Sequence, residues 1–390
     1  MQNFNWCNPT RVLFGKGSVK DLAEYLKADN IKSVLLIYGG KSVFKCGAYT
    51  QVTDMLNELG ISFPELNDIK PNPRIDKVRD GIARVKLSKI DALMPIGGGS
   101  VFDTAKAISA GAFYNGDVWD IYQHKAKINK TLPVYGVVTA SATASEVNAI
   151  SVISNPEANI KTSFSDPHLY PKIAAVDPEF QFTLSEKQTV YGGVDIIAHA
   201  LERLLDGDEG SEFMDDQGYA LVRNMLRIIP ELIDDPKNYD ARAEYAWASQ
   251  LAHNGILSCG RATRGDFSSH RLGHSISLLF DVAHGASLSV VMPAWARYLY
   301  KFNPVPFARL GENVFDIFDG SDEEKALATI EALEDFYRDI NAPTTLRELN
   351  IKEDEIQQLA DNASKSGALP FGTLKKLNQN DVLEIYKLAY

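Results

Sequence analysis

The chain has 390 residues, 45% of them hydrophobic, which is ample for a large core and long enough that two domains are expected. Forty basic residues against 51 acidic give a net charge of −11, which argues against nonspecific binding to nucleic acid or to an anionic membrane. Cys7, Cys46 and Cys259 are far apart, odd in number and without CxxC spacing, so they build no disulfide framework and a reducing, cytoplasmic compartment is expected.

The amino terminus lacks a basic region followed by an apolar run, so no signal peptide is expected. No segment reaches about 18 apolar residues without charge, so no membrane-spanning helix is expected either. SVLLIY (Ser33–Tyr38) then reads as an apolar strand ending in GGKS, and AYTQVTDMLNELG as a helix stopped by Gly60. ALMPIGGGS (Ala92–Ser100) is a second strand ending in glycines, followed by the helical FDTAKAISAGAF. LPVYGVVTA (Leu132–Ala140) and KIAAVDPEF (Lys172–Phe180) are further strand candidates. Strands alternating with helices indicate a mostly parallel sheet covered by helices, with ligands at the carboxyl ends of its strands.

Character changes near Phe182–Thr189. From Tyr191 the runs are longer and rich in Ala and Leu, as in VDIIAHALERLL, DDQGYALVRNMLRIIPELI and ARAEYAWASQLAHNGI. The expected organisation is an α/β domain over residues 1–185 and an all-α domain over 186–390. The acidic stretch Asp206–Asp216 reads as a solvated loop and helix start.

Three motifs bear on a cofactor. Gly97, Gly98, Gly99 and Ser100 precede a helix, where glycines admit close backbone approach and the helix end supplies free N–H groups, an arrangement suited to a pyrophosphate. A tight strand-to-helix turn would also explain them. Gly39, Gly40, Lys41 and Ser42 end the first strong strand, and YGGKSVFKCG contains no Asp or Glu for adenosine ribose hydroxyls. Hydroxyl and ammonium groups there favour NADP(H) over NAD(H), unless Lys41 and Lys45 merely face solvent. SATASE (Ser141–Glu146) could hold a nicotinamide amide or a phosphate, or be a loop with a capping serine. Lys161 could supply positive charge to cofactor phosphates, or lie on the surface.

The strongest pattern lies among the seven histidines. Asp195 and His199 are four apart in a helical run and so share a face. His270 and His284 lie in SHRLGHSISLLFDVAHG. One carboxylate and three neutral imidazoles make a site that Fe²⁺ or Zn²⁺ accepts, with Mn²⁺, Co²⁺ or Ni²⁺ also compatible. His274, one turn beyond His270 if that segment is helical, can face the same cavity and orient the substrate or relay a proton. His253 reads as structural or pocket-lining, and His124 and His168 sit in loop-like contexts. Trp247, Phe267 and Leu278 are candidates for lining an apolar substrate pocket.

Taken together, the fragments resemble the iron-containing, or group III, alcohol dehydrogenases. They run from NPTRVLFGKG through PNPRIDKVRDGI, GGGSVFDTAK, GDVWDI and AAVDPE to DVLEIYKLAY, and the most specific are GGVDIIAHALE and SHRLGHSISLLFDVAHGASLSVVMP. The YGGKS and VAHGASLSVVMPAWARY regions look most like the branch of NADPH-dependent butanol dehydrogenases and broad-range aldehyde reductases. The resemblance implies a Rossmann-like first domain and a helical second domain in a dehydroquinate synthase-like fold. It implies metal ligands at Asp195, His199, His270 and His284, and an extra histidine at His274 beside nicotinamide and substrate. Cofactor contacts are implied at Gly97–Ser100, Asp103, Thr139, Thr143 and Lys161. The implied reaction is reversible hydride transfer between NADP(H) and a small alcohol–aldehyde pair such as butanol and butyraldehyde. An NAD(H)-linked polyol or diol dehydrogenase is the alternative. A homodimer is implied, with no nucleic-acid or membrane partner. Two positions depart from the pattern: Ala144 replaces a usual glycine, and Gly273 stands where a glutamate is frequent and is expected to widen the pocket or alter its charge.

Overall fold

Eight strands are formed among the described residues: β1 (Arg11–Phe14), β2 (Val34–Tyr38), β3 (Glu65–Leu66), β4 (Ala92–Gly97), β5 (Tyr135–Val138), β6 (Ile150–Asn155), β7 (Ile160–Ser165) and β8 (Ile173–Val176). All but β6 and β7 join one parallel sheet in the order β1–β8–β5–β4–β2–β3. The computed structural model describes residues 1–208, 210–365 and 369–390. The sheet lies in a unit formed by Cys7–Leu184 with Asp235–Gln250; a second unit comprises Met1–Trp6, Ser185–Asp234 and Leu251–Tyr390.

Six helices accompany the strands: α1 (Ser18–Ala28), α2 (Ser42–Lys45), α3 (Ala48–Glu58), α4 (Ile75–Ser88), α5 (Gly99–Gly111) and α6 (Trp119–Tyr122). One face of the sheet, with Val34, Leu36, Met94 and Ile96, packs against Leu22 and Leu26 of α1 and Val52 and Leu56 of α3. The other, with Leu35, Ile37 and Leu93, packs against Val78 of α4 and Ala105 and Ile108 of α5. Because both faces are covered, the strands read as unbroken apolar runs instead of alternating ones. After β3 the chain crosses back past β2, so β2 and β4 pair directly, Tyr38 opposite Ile96. That pair is the point where the order of the sheet reverses, and both glycine clusters leave it from adjacent carboxyl ends.

The antiparallel β6–β7 hairpin, Ile150 opposite Ser165, is absent from the sequence expectations. Its strands ISVISN and IKTSFS are rich in serine, and buried side chains of α5 secure it. The Asp103 carboxylate accepts from the Val152 N–H at 3.1 Å, and Lys106 Nζ donates to the Ile150 carbonyl at 2.6 Å.

The second unit is built from α7 (Glu186–Leu204), α8 (Glu212–Asp234), the last residues of α9 (Tyr239–His253), α10 (Ser268–Phe280), α11 (His284–Leu299), α12 (Val305–Val314), α13 (Asp322–Asp339), α14 (Ile356–Lys365) and α15 (Gln379–Leu388). No helix among the described residues is long and apolar enough to cross a membrane. α11 lies against α7, α10, α13 and α15. In the stretch Asp206–Asp216 the helix start stands, α8 beginning at the exposed Glu212, but Asp206 and Ser211 before it are buried and not part of a solvated loop; Glu209 lies outside the described residues. Asp206 is buried, accepts from Thr263 Oγ1 and lies 3.6 Å from Arg261 Nη1. Arg261 also donates to Asp215, so a buried guanidinium draws two carboxylates inward as counter-charges.

α7 starts on a capping box. Ser185 Oγ accepts from the Gln188 N–H, and the Gln188 side chain accepts from the Ser185 N–H. Ser185→Ala is expected to cost about 1 kcal/mol, read as a lower urea midpoint at unchanged slope.

Candidate functional site

α7 places Asp195 and His199 one turn apart, α10 supplies His270 from its first turn, and His284 is the first residue of α11. Asp195 Oδ1 lies 3.8 Å from His199 Nε2, 3.4 Å from His270 Nε2 and 3.8 Å from His284 Nε2. The donor atoms of Asp195, His199 and His270 all fall within 4.8 Å of one another. Tetrahedral bonds of about 2.1 Å set ligand–ligand edges near 3.4 Å, so the spacing suits a divalent cation of the first transition row. The donor chemistry suits it as well: one buried carboxylate oxygen facing three imidazole nitrogens, the set that Fe²⁺ or Zn²⁺ takes. Asp195, His199 and His270 are buried, whereas the His284 side chain keeps 23% of its exposure, leaving that edge of the cluster open.

Around the cluster stands a layer that the sequence pattern did not bring out. Glu202, fully buried, places Oε2 2.7 Å from His270 Nδ1, and its Oε1 accepts from the His270 N–H at 3.1 Å and from Ser269 Oγ. The carboxylate beside Nδ1 favours a proton there, and Nε2 faces Asp195 Oδ1 at 3.4 Å. Burial alone would lower the His270 pKa, but the Glu202 and Asp195 carboxylates outweigh it and raise it to about 9. His199 is held well below the ordinary value, first by burial and then by neighbouring His253. A signal for Glu202 was present: Asp195, His199 and Glu202 have i, i+4, i+7 spacing along one helix face.

His274 lies beside the cluster, its ring 5.3 Å from that of His284 and 6.5 Å from that of His270. Phe267 meets the rings of His253 and His270 edge-on. Trp247 belongs to the sheet unit, where it meets Phe14 edge-on. His124 and His168 belong to the sheet unit, His124 in a turn after α6 and His168 in a short 3-10 helix, bonded to Asp166. Gly273 opens no pocket: it is buried against α11, and a Cβ there would lie 3.0 Å from Ser287 Oγ and 3.2 Å from Leu288 Cδ2. The missing side chain lets α10 and α11 close together.

In the sheet unit, Gly97–Ser100 carry β4 into α5, whose first turn has no side-chain cap. A Cβ on Gly98 would lie 3.1 Å from Ala140 Cβ, and one on Gly99 would lie 2.4, 2.7 and 3.1 Å from Thr143 Oγ1, Cγ2 and Cβ. The loop after β5, with Thr139 and Thr143, is thereby laid against the open end of α5. Asp103 is buried and turned inward: Oδ1 accepts from Ser145 Oγ at 2.6 Å and Oδ2 from the β6 backbone. It braces the loop that carries Thr143. Burial raises the Asp103 pKa and lowers that of Lys106, 4.0 Å away, to about 8. Lys161 on β7 is buried, not on the surface, and donates to Asn72 Oδ1 at 2.7 Å. Gly40, Lys41 and Ser42 are exposed beyond β2, while the Gly39 carbonyl accepts from the Asp68 N–H at 3.1 Å. Ala144 adopts φ +51°, the left-handed conformation a glycine would take without strain, and it is fully buried.

A parallel sheet with a glycine-rich switch point, and a helical unit with one carboxylate facing three imidazoles, define a class of metal-dependent, nicotinamide-linked oxidoreductases. Models of the iron-containing alcohol dehydrogenase family match residues 9–178, and those of its C-terminal region match residues 189–390. The chain is 39% identical to a probable NADH-dependent butanol dehydrogenase 1 of Bacillus subtilis, over all of both chains. It is 32% identical, again over all of both, to the NADPH-dependent aldehyde reductase YqhD of Escherichia coli. The crystal structure of an NADH-dependent butanol dehydrogenase A from Thermotoga maritima superposes with a TM-score of 0.97 at 40% identity, covering 100% of this chain and 99% of the other. The chain belongs to the iron-containing alcohol dehydrogenase family.

Gly99→Ala should weaken dinucleotide binding at least about tenfold, because no Thr143 rotamer clears the added methyl and the loop must shift. Equilibrium titration of cofactor fluorescence checks this, with metal content unchanged.

Proposed function

We propose that the protein is a metal-dependent alcohol dehydrogenase and aldehyde reductase, transferring hydride reversibly between NADP(H) and short aliphatic alcohol–aldehyde pairs such as butanol and butyraldehyde. The observation that carries this reading is the approach of three imidazole nitrogens to one buried carboxylate oxygen. Asp195, His199, His270 and His284 would hold the cation, and the sheet unit would hold the dinucleotide through Gly39–Ser42, Gly97–Ser100, Thr139, Thr143 and Lys161. When bound, the cation supplies a Lewis acid for a carbonyl oxygen, and the nicotinamide supplies or accepts hydride. Glu202, 2.7 Å from His270 Nδ1, would hold that ring with Nε2 turned to the bound cation, which takes the place of the Nε2 proton. Buried Asp195 and His199 keep water from the inner edge of the cluster. His274, half-buried and next to His284, holds the proton that the product alcohol oxygen takes up in reduction and returns in oxidation. A cytoplasmic homodimer completes the reading; all three cysteines are unpaired.

The preference for NADP(H) rests on the exposed Gly40–Lys41–Ser42 loop, which carries a hydroxyl, an ammonium and no carboxylate. NAD(H) is favoured instead by Asp68, whose backbone bonds Gly39 and whose carboxylate pairs with Lys70 at 2.7 Å, and by the name of the Bacillus relative. Oxidation of NADPH and NADH with butyraldehyde, with elemental analysis of the same sample, tests both readings. Rapid turnover with NADPH that requires bound metal is expected. Metal binding without butyraldehyde turnover would redirect the substrate to polyols or diols.

A Cβ at Gly40 would meet nothing within 4 Å, so Gly40→Asp has room in the exposed loop. It should lower kcat/KM for NADPH about tenfold through like-charge repulsion of the 2′-phosphate, and spare NADH. Equal losses with both cofactors would remove the loop from the 2′-phosphate site. His270→Ala should lower metal content and turnover together. His274→Ala should keep the metal and lower the rate; metal loss there would exchange the two roles.

A further inference from the structure

The imidazoles that face Asp195 are oriented by different means. His270 is anchored through Nδ1 by Glu202. His199 Nδ1 is buried and has no such carboxylate beside it among the described residues, its one ion-pair contact being through Nε2. A ligand imidazole ordinarily anchors the ring nitrogen turned away from the metal, so the orientation of His199 must come from elsewhere. It comes from its faces. On one side lies the ring of His253, with centroids 4.0 Å apart and planes 26° apart. On the other lies the ring of His270, at 4.6 Å and 23°. His199 is the middle member of a stack of three imidazoles.

The outer member is itself fixed. Arg203 Nη2 lies 3.0 Å from His253 Nδ1. A guanidinium can only donate, so His253 accepts at Nδ1 and carries its proton on Nε2. Arg203 Nη1 donates to the carbonyl of His199, and Nε donates to Ser258 Oγ at 3.1 Å. Its plane lies over Phe267, 5.0 Å from the centroid, and Phe267 meets His253 edge-on at 5.6 Å. Arg203 is buried, so its position is set by these partners and not by solvent. Neighbouring residues of α7 therefore clamp the two ends of the stack, Glu202 through His270 and Arg203 through His253.

We propose that Arg203 and His253 are positioning residues that set the ring plane of His199, and with it the geometry and retention of the bound cation. The proposal rests on the reading of His199 as a ligand. A ring that only filled space could be replaced by any ring of similar size. An anchored ring could not, because a phenyl group offers Arg203 no acceptor. Lysine at position 203 would keep the charge but lose the fork that reaches His199, His253 and Ser258 together.

The test uses the full-length protein loaded with Co²⁺, monitoring its visible ligand-field bands and the rate at which a chelator removes the ion. His253→Phe and Arg203→Lys are each expected to shift the bands and to speed release about tenfold or more. Wild-type bands and release in His253→Phe would overturn the proposal. His199→Ala separates the two layers of the argument: wild-type bands there would sink the ligand reading itself. If the His253 variant does not fold, ¹⁵N-histidine NMR of the Zn²⁺-loaded wild type replaces it. The Nε2–H tautomer of His253 is expected, and the Nδ1–H tautomer would overturn the clamp.

Discussion

Burying the carboxylate of Asp195 constrains much of the helical unit. A charge at 3% exposure is costly unless opposite charge or directed dipoles surround it. Meeting that demand requires three helices to converge on one oxygen atom. α7 therefore lies buried along most of its length, and α11 begins where His284 can face Asp195. Gly285 makes this start possible, since a Cβ there would lie 2.0 Å from the Tyr191 carbonyl oxygen. Gly273 eases the packing of α10 on the Ser287 and Leu288 side chains of α11.

The sheet unit answers a different demand with similar means. At its switch point stand an uncapped helix end and a loop of small residues. Order comes from behind, through the buried Asp103, Lys106, Ser145 and Asn148. The strain at Ala144 is tolerated within that brace, of order 1 kcal/mol for a left-handed non-glycine residue. Asp103 thus holds the loop that carries Thr143 in place.

Strands with both faces buried are the easiest to read, so Val34–Tyr38 and Ala92–Gly97 stand out from sequence alone. The metal candidates stand out because helical spacing is a local property, and the same spacing would have revealed Glu202. His253 could not be found that way: its relation to His199 arises by tertiary stacking across more than 50 positions of sequence. The β6–β7 hairpin is serine-rich, its alternation breaks at Val152–Ile153 of β6, and a pair of buried charges on α5 holds it in place. Asp206 reads as surface because its counter-charge, Arg261, lies far along the chain. Asp68 lies beyond β3, outside the segment YGGKSVFKCG, and only the fold brings it against Gly39.

α7 carries Asp195, His199, Glu202 and Arg203 within three turns, each committed to a direction. Each residue added to a helix rotates all later positions by about 100°. A single insertion between Asp195 and Glu202 would thus swing both clamps of the imidazole stack away while leaving the carboxylate behind. By contrast, the exposed turn Pro156–Asn159 joining β6 to β7 can lengthen with little consequence for the sheet. Over evolutionary time, α7 should admit substitutions at its margins but no change of length, and the hairpin turn should be where related chains differ in length.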